Sequence, residues 1–150
     1  MTGETRTDDA SMDGLARVRA LLAAGGKPPI GETLGFALVE VELGRAVFEG
    51  VPGRHAYNPL GVVHGGYAAT LLDSACGIAT ASRLAAGESF TTLELKVAYH
   101  KAMTEHTGPV RAEAIIKSMG RRVAYADATL TDDEGRLLAS ATSTLLVMAA

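Results

Sequence analysis

Residues 58–75 constrain this chain more than any other stretch. Asn58-Pro59-Leu60-Gly61-Val62-Val63-His64-Gly65-Gly66 runs straight into Tyr67-Ala68-Ala69-Thr70-Leu71-Leu72-Asp73-Ser74-Ala75. A short, polar, glycine-bearing loop therefore feeds the longest small-residue apolar run in the protein. Followed from Tyr67 to about Ala86, that run reads as one long helix with Leu71, Leu72, Ala75, Ile78, Ala79 and Leu84 spread over nearly every face. Arg83 and Glu88 mark its wet end and Gly87 its stop. A helix that is apolar all round has to be covered on most sides, wrapped by a sheet or pressed between subunits. It nevertheless carries an acid, Asp73, of a kind rarely buried without a partner. The loop and the helix start are the expected site.

The remainder reads mainly as sheet. Residues 1–12 form an expected disordered tail, and 13–150 a single domain. Leu15, Val18, Leu21 and Leu22 share one face of a short helix over 13–25, ended by Gly25-Gly26 and Pro28-Pro29. Leu34–Leu43 alternates for part of its length, Gly44-Arg45 is a tight turn, and 46–51 is the return strand. Pro52-Gly53 breaks it. After Gly87 the period becomes two: Leu93, Leu95, Val97 and Tyr99 oppose Thr92, Glu94, Lys96 and Ala98. Strands over 110–119, 122–131 and 136–148 follow, separated by turn-forming residues at 118–121 and 132–135. The expected class is α+β, an antiparallel sheet with the long helix on its apolar face.

Composition excludes several functions. One hundred and fifty residues, 47% of them apolar, suffice for one domain with a real core. A net charge of −3 gives no reason to expect a nucleic-acid partner. No run approaches a membrane span, and the acidic, threonine-rich start has no apolar signal core, so a cytoplasmic protein without membrane contact is expected. The lone cysteine, Cys76, lies within the apolar helix and reads as a core residue. His55, His64, His100 and His106 are scattered without metal-ligand spacing, so neither metal nor cofactor is expected. Ser74 lacks the Gly-x-Ser-x-Gly elbow of serine hydrolases.

His64-Gly65-Gly66 ahead of a helix suits an oxyanion, because the first helical N–H groups have no intrahelical partners and sit at the positive end of the helix. The glycines equally suit a plain tight entry into the helix. Asp73 lies eight residues past Gly65, about two turns on and near the face of the loop. It is a candidate general base or nucleophile, or else a carboxylate tied to a hydroxyl or strand N–H. His64 either meets substrate or only caps the loop, and Asn58 can brace that loop by an Asx-type bond. Lys96, Lys101, Lys117, Arg121 and Arg122 either hold ligand phosphates or form solvated surface.

The Asn58-to-Gly66 loop, Asp73-Ser74-Ala75, and Thr92-Leu93-Glu94-Leu95-Lys96-Val97-Ala98-Tyr99 together resemble the hotdog-fold acyl-CoA thioesterases, notably the phenylacetic-acid-pathway type. The stretch from Gly120 to Thr144 is similar to the end of that family, so the resemblance covers about residues 34–148. It implies a curved antiparallel sheet around the long helix, homodimers joining two sheets side by side, and homotetramers. It implies hydrolysis of an aryl or short-to-medium acyl-CoA at the dimer interface. Asp73 of one subunit would face the His64-Gly65 loop of the other, with the Gly65 N–H polarising the thioester carbonyl. It also implies Asn58 as a positioning or water-binding residue and Thr92, or Thr91 in a shifted register, as the hydroxyl orienting the chemistry at Asp73. Lys101, Arg121 and Arg122 are then expected around the CoA nucleotide, with Leu60, Val63, Gly66, Tyr67 and Phe90 near the acyl slot. A hotdog protein that binds an acyl-CoA or aromatic ligand without cleaving it is the alternative. The helix over 13–25 lies outside the minimal fold and has no assigned chemistry.

Overall fold

The computed structural model describes residues 11–149; most of the expected tail, 1–10, lies outside the described residues. Helix α1 (Gly14–Ala23) starts at Asp13, whose carboxylate accepts the Ala16 N–H at 2.8 Å. It ends in Gly25 and Gly26, both at positive φ, and the Gly26 carbonyl then accepts the Leu38 N–H. Pro28-Pro29 is not the stop expected of it. Pro29 instead opens a second helix, α2 (Pro29–Leu34), because proline at the first helical position lacks only an N–H that would go unused.

Strands β1 (Phe36–Glu42) and β2 (Arg45–Gly50) form the expected hairpin, turning at Gly44. A single 3-10 turn, Arg54–Ala56, leads to helix α3 (Gly65–Ala81). Four strands complete the chain: β3 (Ser89–Tyr99), β4 (Val110–Met119), β5 (Val123–Asp132) and β6 (Leu137–Met148). With β1 and β2 they form one antiparallel six-stranded sheet ordered β1-β2-β4-β5-β6-β3.

The sheet curls around α3, which packs against all six strands. Its inner face is largely alanine: Ala112, Ala114, Ala124, Ala126 and Ala128 are buried against the helix. These small side chains let the sheet lie close to α3, while Leu71, Leu72, Phe36, Phe48, Leu130 and Leu145 supply the bulk of the core.

Two expectations about this frame are corrected. The helix ends at Ala81 instead of Ala86, although Leu84, Ala85 and Ala86 are good helix formers. Ser82 intervenes: its buried hydroxyl donates to the Ala79 carbonyl at 2.7 Å and accepts the Gly44 N–H at 2.8 Å, joining the helix end to the β1–β2 turn. Glu88 caps the turn that follows through the Ala85 N–H. Secondly, β3 does not alternate uniformly. A bulge between Thr92 and Glu94 leaves Leu93 57% exposed and returns Leu95 and Val97 to the face occupied by Thr92 and Phe90.

Candidate active site

Asp73 sits midway along α3, half-buried, and its Oδ1 accepts a hydrogen bond from Thr92 Oγ1 at 3.0 Å. The β3 bulge settles which threonine can do this. Thr92 pairs with the fully buried Leu145 on the inner face, and Thr91 is exposed on the other. The carboxylate borders a cavity of about 230 Å³ walled by Phe48, Gly77, Ile78 and Phe90, with Leu21 and Ile30 contributed by the N-terminal helices. An acid fixed by a hydroxyl at the edge of an apolar cavity can take a proton from water or attack a carbonyl.

The loop is built by its own side chains. Asn58 Oδ1 accepts the N–H of Leu60 at 2.9 Å and of Val62 at 3.3 Å, and its backbone N–H donates to the Val62 carbonyl. His64 is the N-cap of α3: its Nδ1 accepts the Gly66 N–H at 2.8 Å, and its carbonyl accepts the Tyr67 N–H. Gly66 leaves room for that ring, since a Cβ there would stand 2.8 Å from His64 Nδ1. Of the first three helical amides, Gly65 alone has an N–H with no acceptor among the described residues. Tyr99 of β3 donates its hydroxyl to the Gly65 carbonyl at 2.8 Å, and a Cβ on Gly65 would strike the Tyr99 ring at 2.9 Å. Tyr99 read only as a strand residue, because its contact is with a loop remote in sequence. Val63, Gly65, Lys101 and Met103 border a second cavity, of about 330 Å³.

Within one chain these are two separate places. Eight residues of helix separate Gly65 from Asp73, roughly 12 Å along the axis. Thr92 and Tyr99 lie near opposite ends of β3, roughly 20 Å apart. The expected CoA-binding residues divide likewise. Lys101 is at the Gly65 end, whereas Arg121 and Arg122 are exposed on the β4–β5 turn, where the Arg122 carbonyl accepts the Val147 N–H beside the start of β3.

Two residues expected near the acyl slot line neither of these cavities within the single chain. Tyr67 is 3% exposed, faces the core and borders neither cavity; burial pushes its phenol up to about 12. Leu60 is 87% exposed and lines neither. Burial, with the charges of Asp73 and Asp127, pushes the Cys76 thiol up to about 12, which keeps it protonated and inert. The described residues contain no group of three potential metal ligands, and no helix among them is long and apolar enough to cross a membrane.

A family model described as the thioesterase superfamily matches residues 60–139, from the loop through α3 to β6. The chain belongs to that family. It is 30% identical over 116 residues to the 1,4-dihydroxy-2-naphthoyl-CoA hydrolase of Listeria monocytogenes serotype 1/2a (strain 10403S), covering 77% of this chain and 93% of that one. A mutant of the phenylacetic acid degradation protein PaaI from Thermus thermophilus superposes with a TM-score of 0.72 at 28% identity, over 79% of this chain and 98% of the other. The smu.793 protein of Streptococcus mutans UA159, solved with acetyl-CoA bound, superposes with a TM-score of 0.70 at 27% identity, covering 77% and 90%. The six-stranded sheet around one long helix is the hotdog fold.

Proposed function

We propose that this thioesterase-family chain hydrolyses an aryl or short-to-medium acyl-CoA at a site completed by two copies of itself. One observation carries the reading. The Thr92-held Asp73 carboxylate and the unpaired Gly65 N–H stand at opposite ends of β3, an edge strand with a free side. The other edge, β1, is short and carries Glu40 and Glu42, and Gly26 already bonds its Leu38 N–H. By contrast β3 has eleven residues and exposes Leu93 and Tyr99. A long edge strand with exposed apolar side chains, whose two charges, Glu94 and Lys96, are of opposite sign, invites pairing with a second strand. Two β3 strands joined antiparallel about a two-fold axis bring the Thr92 end of each beside the Tyr99 end of the other. Asp73 of one copy then faces Gly65 of its partner, and Arg121 and Arg122 approach the partner's Lys101.

In that site the thioester oxygen accepts the Gly65 N–H at the positive end of α3, where negative charge developing on oxygen is stabilised. His64 and Asn58 act by holding the loop in place. Asp73 accepts a proton from water as the water oxygen bonds to the carbonyl carbon. The C–S bond breaks, and the departing sulfur takes the proton, giving free acid and CoA. Direct attack by Asp73 gives an anhydride that water then opens. The CoA thiolate leaves as the anhydride forms, and ¹⁸O found in the Asp73 carboxylate after a single turnover in ¹⁸O-water identifies this route, with water opening the anhydride at the aspartyl carbon. The relatives' named activities and ligand, a CoA-thioester hydrolase and an acetyl-CoA complex, support the substrate class.

The deciding experiment measures thiol release from a panel of aryl, short and medium acyl-CoAs by the native protein and by Asp73→Asn. Turnover in the native protein and its loss in a folded Asp73→Asn are expected. Undiminished turnover in the variant sinks the assignment. Calorimetric binding without thiol release across the panel identifies a ligand-binding protein instead.

A further inference from the structure

Phe90 is a wall of the Asp73 cavity. Beyond that ring lies a second cleft of about 290 Å³ beneath α1, walled by Val18, Leu21, Ala81 and Leu84. Leu21 and Phe90 border both spaces, and the two side chains stand between them. Its ring rests on Gly77, where a Cβ would stand 3.1 Å from two ring carbons. Gly77 is buried within α3, in a helix interior where alanine is the better helix former, and the space it leaves is filled by the ring. At the far end the Arg17 guanidinium donates to the Glu88 carbonyl at 3.0 Å, closing the apolar walls with a polar rim. The roof is fixed as well. The Gly14 N–H bonds the Leu84 carbonyl at 2.8 Å, and a Cβ on Gly14 would overlap the Ala81 carbonyl, so α1 sits directly on the end of α3.

We propose that this second cleft is a distal acyl compartment, taking the apolar end of an unbranched aliphatic acyl chain whose thioester carbon lies at Asp73. The proposal rests on the thioesterase reading above. Ligand pockets commonly span about 300–1,000 Å³; the Asp73 cavity alone falls short of that range, and the two spaces joined lie within it. Phe90 then sets the length limit, accepting short chains when it lies across the gap and longer ones when it swings away. Helix α1, which is outside the minimal fold, supplies Val18 and Leu21 as the roof over the chain end.

Two substitutions of opposite sign test this. Ala81→Phe fills the distal cleft from the end of α3, and Phe90→Ala removes one of the two side chains between the spaces. Hydrolysis of butyryl-, octanoyl- and decanoyl-CoA is measured for each, and binding of the same thioesters is measured by calorimetry in the Asp73→Asn background. Burying one methylene is worth roughly fourfold in equilibrium, so losing the last few is expected to weaken decanoyl-CoA at least about tenfold in Ala81→Phe, with butyryl-CoA nearly unchanged. Phe90→Ala is expected to raise the decanoyl-to-butyryl ratio of kcat/KM and of affinity. If Ala81→Phe does not fold, Phe90→Ala alone decides, and an unchanged ratio overturns the compartment. Equal effects on all lengths, or no binding of any, also overturn it. Length-dependent binding with no thiol release keeps the compartment and sinks hydrolysis. Thiol release indifferent to both substitutions does the reverse.

Discussion

Thr92 Oγ1 donates to Asp73 Oδ1 at 3.0 Å across the gap between an edge strand and the central helix. The contact depends on the bulge at Leu93, because a regular β3 that kept Leu95 and Val97 inward would turn the Thr92 side chain away from α3. The bond engages one carboxylate oxygen and limits rotation of the acid.

Removing that restraint is expected to slow the chemical step while leaving binding largely intact. Thr92→Val should lower kcat about tenfold to a hundredfold, the effect of a misplaced reacting group, with little change in KM. Thr92→Ser keeps the hydroxyl and should recover most of the rate. A steady-state comparison of the two variants checks this, and equal kcat values for both would remove Thr92 from the mechanism.

Gly65 is confined from the other side. Tyr99 holds its carbonyl, and the Tyr99 ring occupies the space a Cβ would need. Gly65→Ala is therefore expected to displace the loop and reduce kcat about a hundredfold or more, as losing an oxyanion donor does. Tyr99→Phe removes only the hydroxyl bond and should cost less. Acyl-CoA turnover with matched circular dichroism spectra separates loss of the site from loss of the fold.

The loop-to-helix stretch was legible because its chemistry is local. Glycines, an Asx turn and a helix N-cap fall within ten residues, and the all-apolar helix demanded a wrapping sheet. What escaped depends on contacts distant in sequence. Nothing around Leu93 marks a bulge, since alternation there reads equally well in either phase, and register is fixed by pairing with β6. The helix end at Ala81 needs Gly44, thirty-eight residues earlier, to meet Ser82. Pro28-Pro29 carried two meanings, a stop and a start, and the chain uses the second. Phe48, Leu21 and Ile30 became walls of the Asp73 cavity only through tertiary packing.

Tyr67 carries a buried hydroxyl with no hydrogen-bond partner among the described residues. An orphaned buried hydroxyl is destabilising, so Tyr67→Phe is expected to leave stability unchanged or raise it by about 1 kcal/mol. Because the ring faces the core, acyl-CoA turnover should not change. Chemical denaturation and a thiol-release assay test both halves of the statement, and a large loss of activity would return Tyr67 to the site.

Acid should weaken the β5–β6 turn and the β1–β2–β4 face first. Burial raises the Asp132 pKa, but the hydrogen bonds from the Arg136 side chain and the Arg136 and Glu134 amides outweigh it and hold the carboxyl below its ordinary 3.8. Hydrogen bonds from Arg111 and then Arg45 hold Glu40 below its ordinary 4.5. A carboxylate with a lowered folded pKa contributes stability above its unfolded pKa and loses it as pH falls through the folded value. Melting temperature is thus expected to be level near neutrality and to fall as pH drops below about 4. Asp132→Asn should lower the neutral-pH melting temperature and flatten the acid slope, which thermal scans across pH would show.

The proposed two-chain site makes a prediction that a site confined to one chain does not. Asp73→Asn should be inactive alone and Gly65→Ala at least about a hundredfold slower, since every site in either homodimer has one half impaired. Co-expressed, the two chains form mixed dimers in which one site carries both substitutions and the other combines an intact Asp73 with an intact Gly65. That second site should hydrolyse acyl-CoA at the native rate, so activity returns in the mixture. Separately tagged chains, purified in tandem to isolate the mixed dimer, give the measurement. A mixed dimer as inactive as its parents would place both groups on one chain and remove the requirement for a partner.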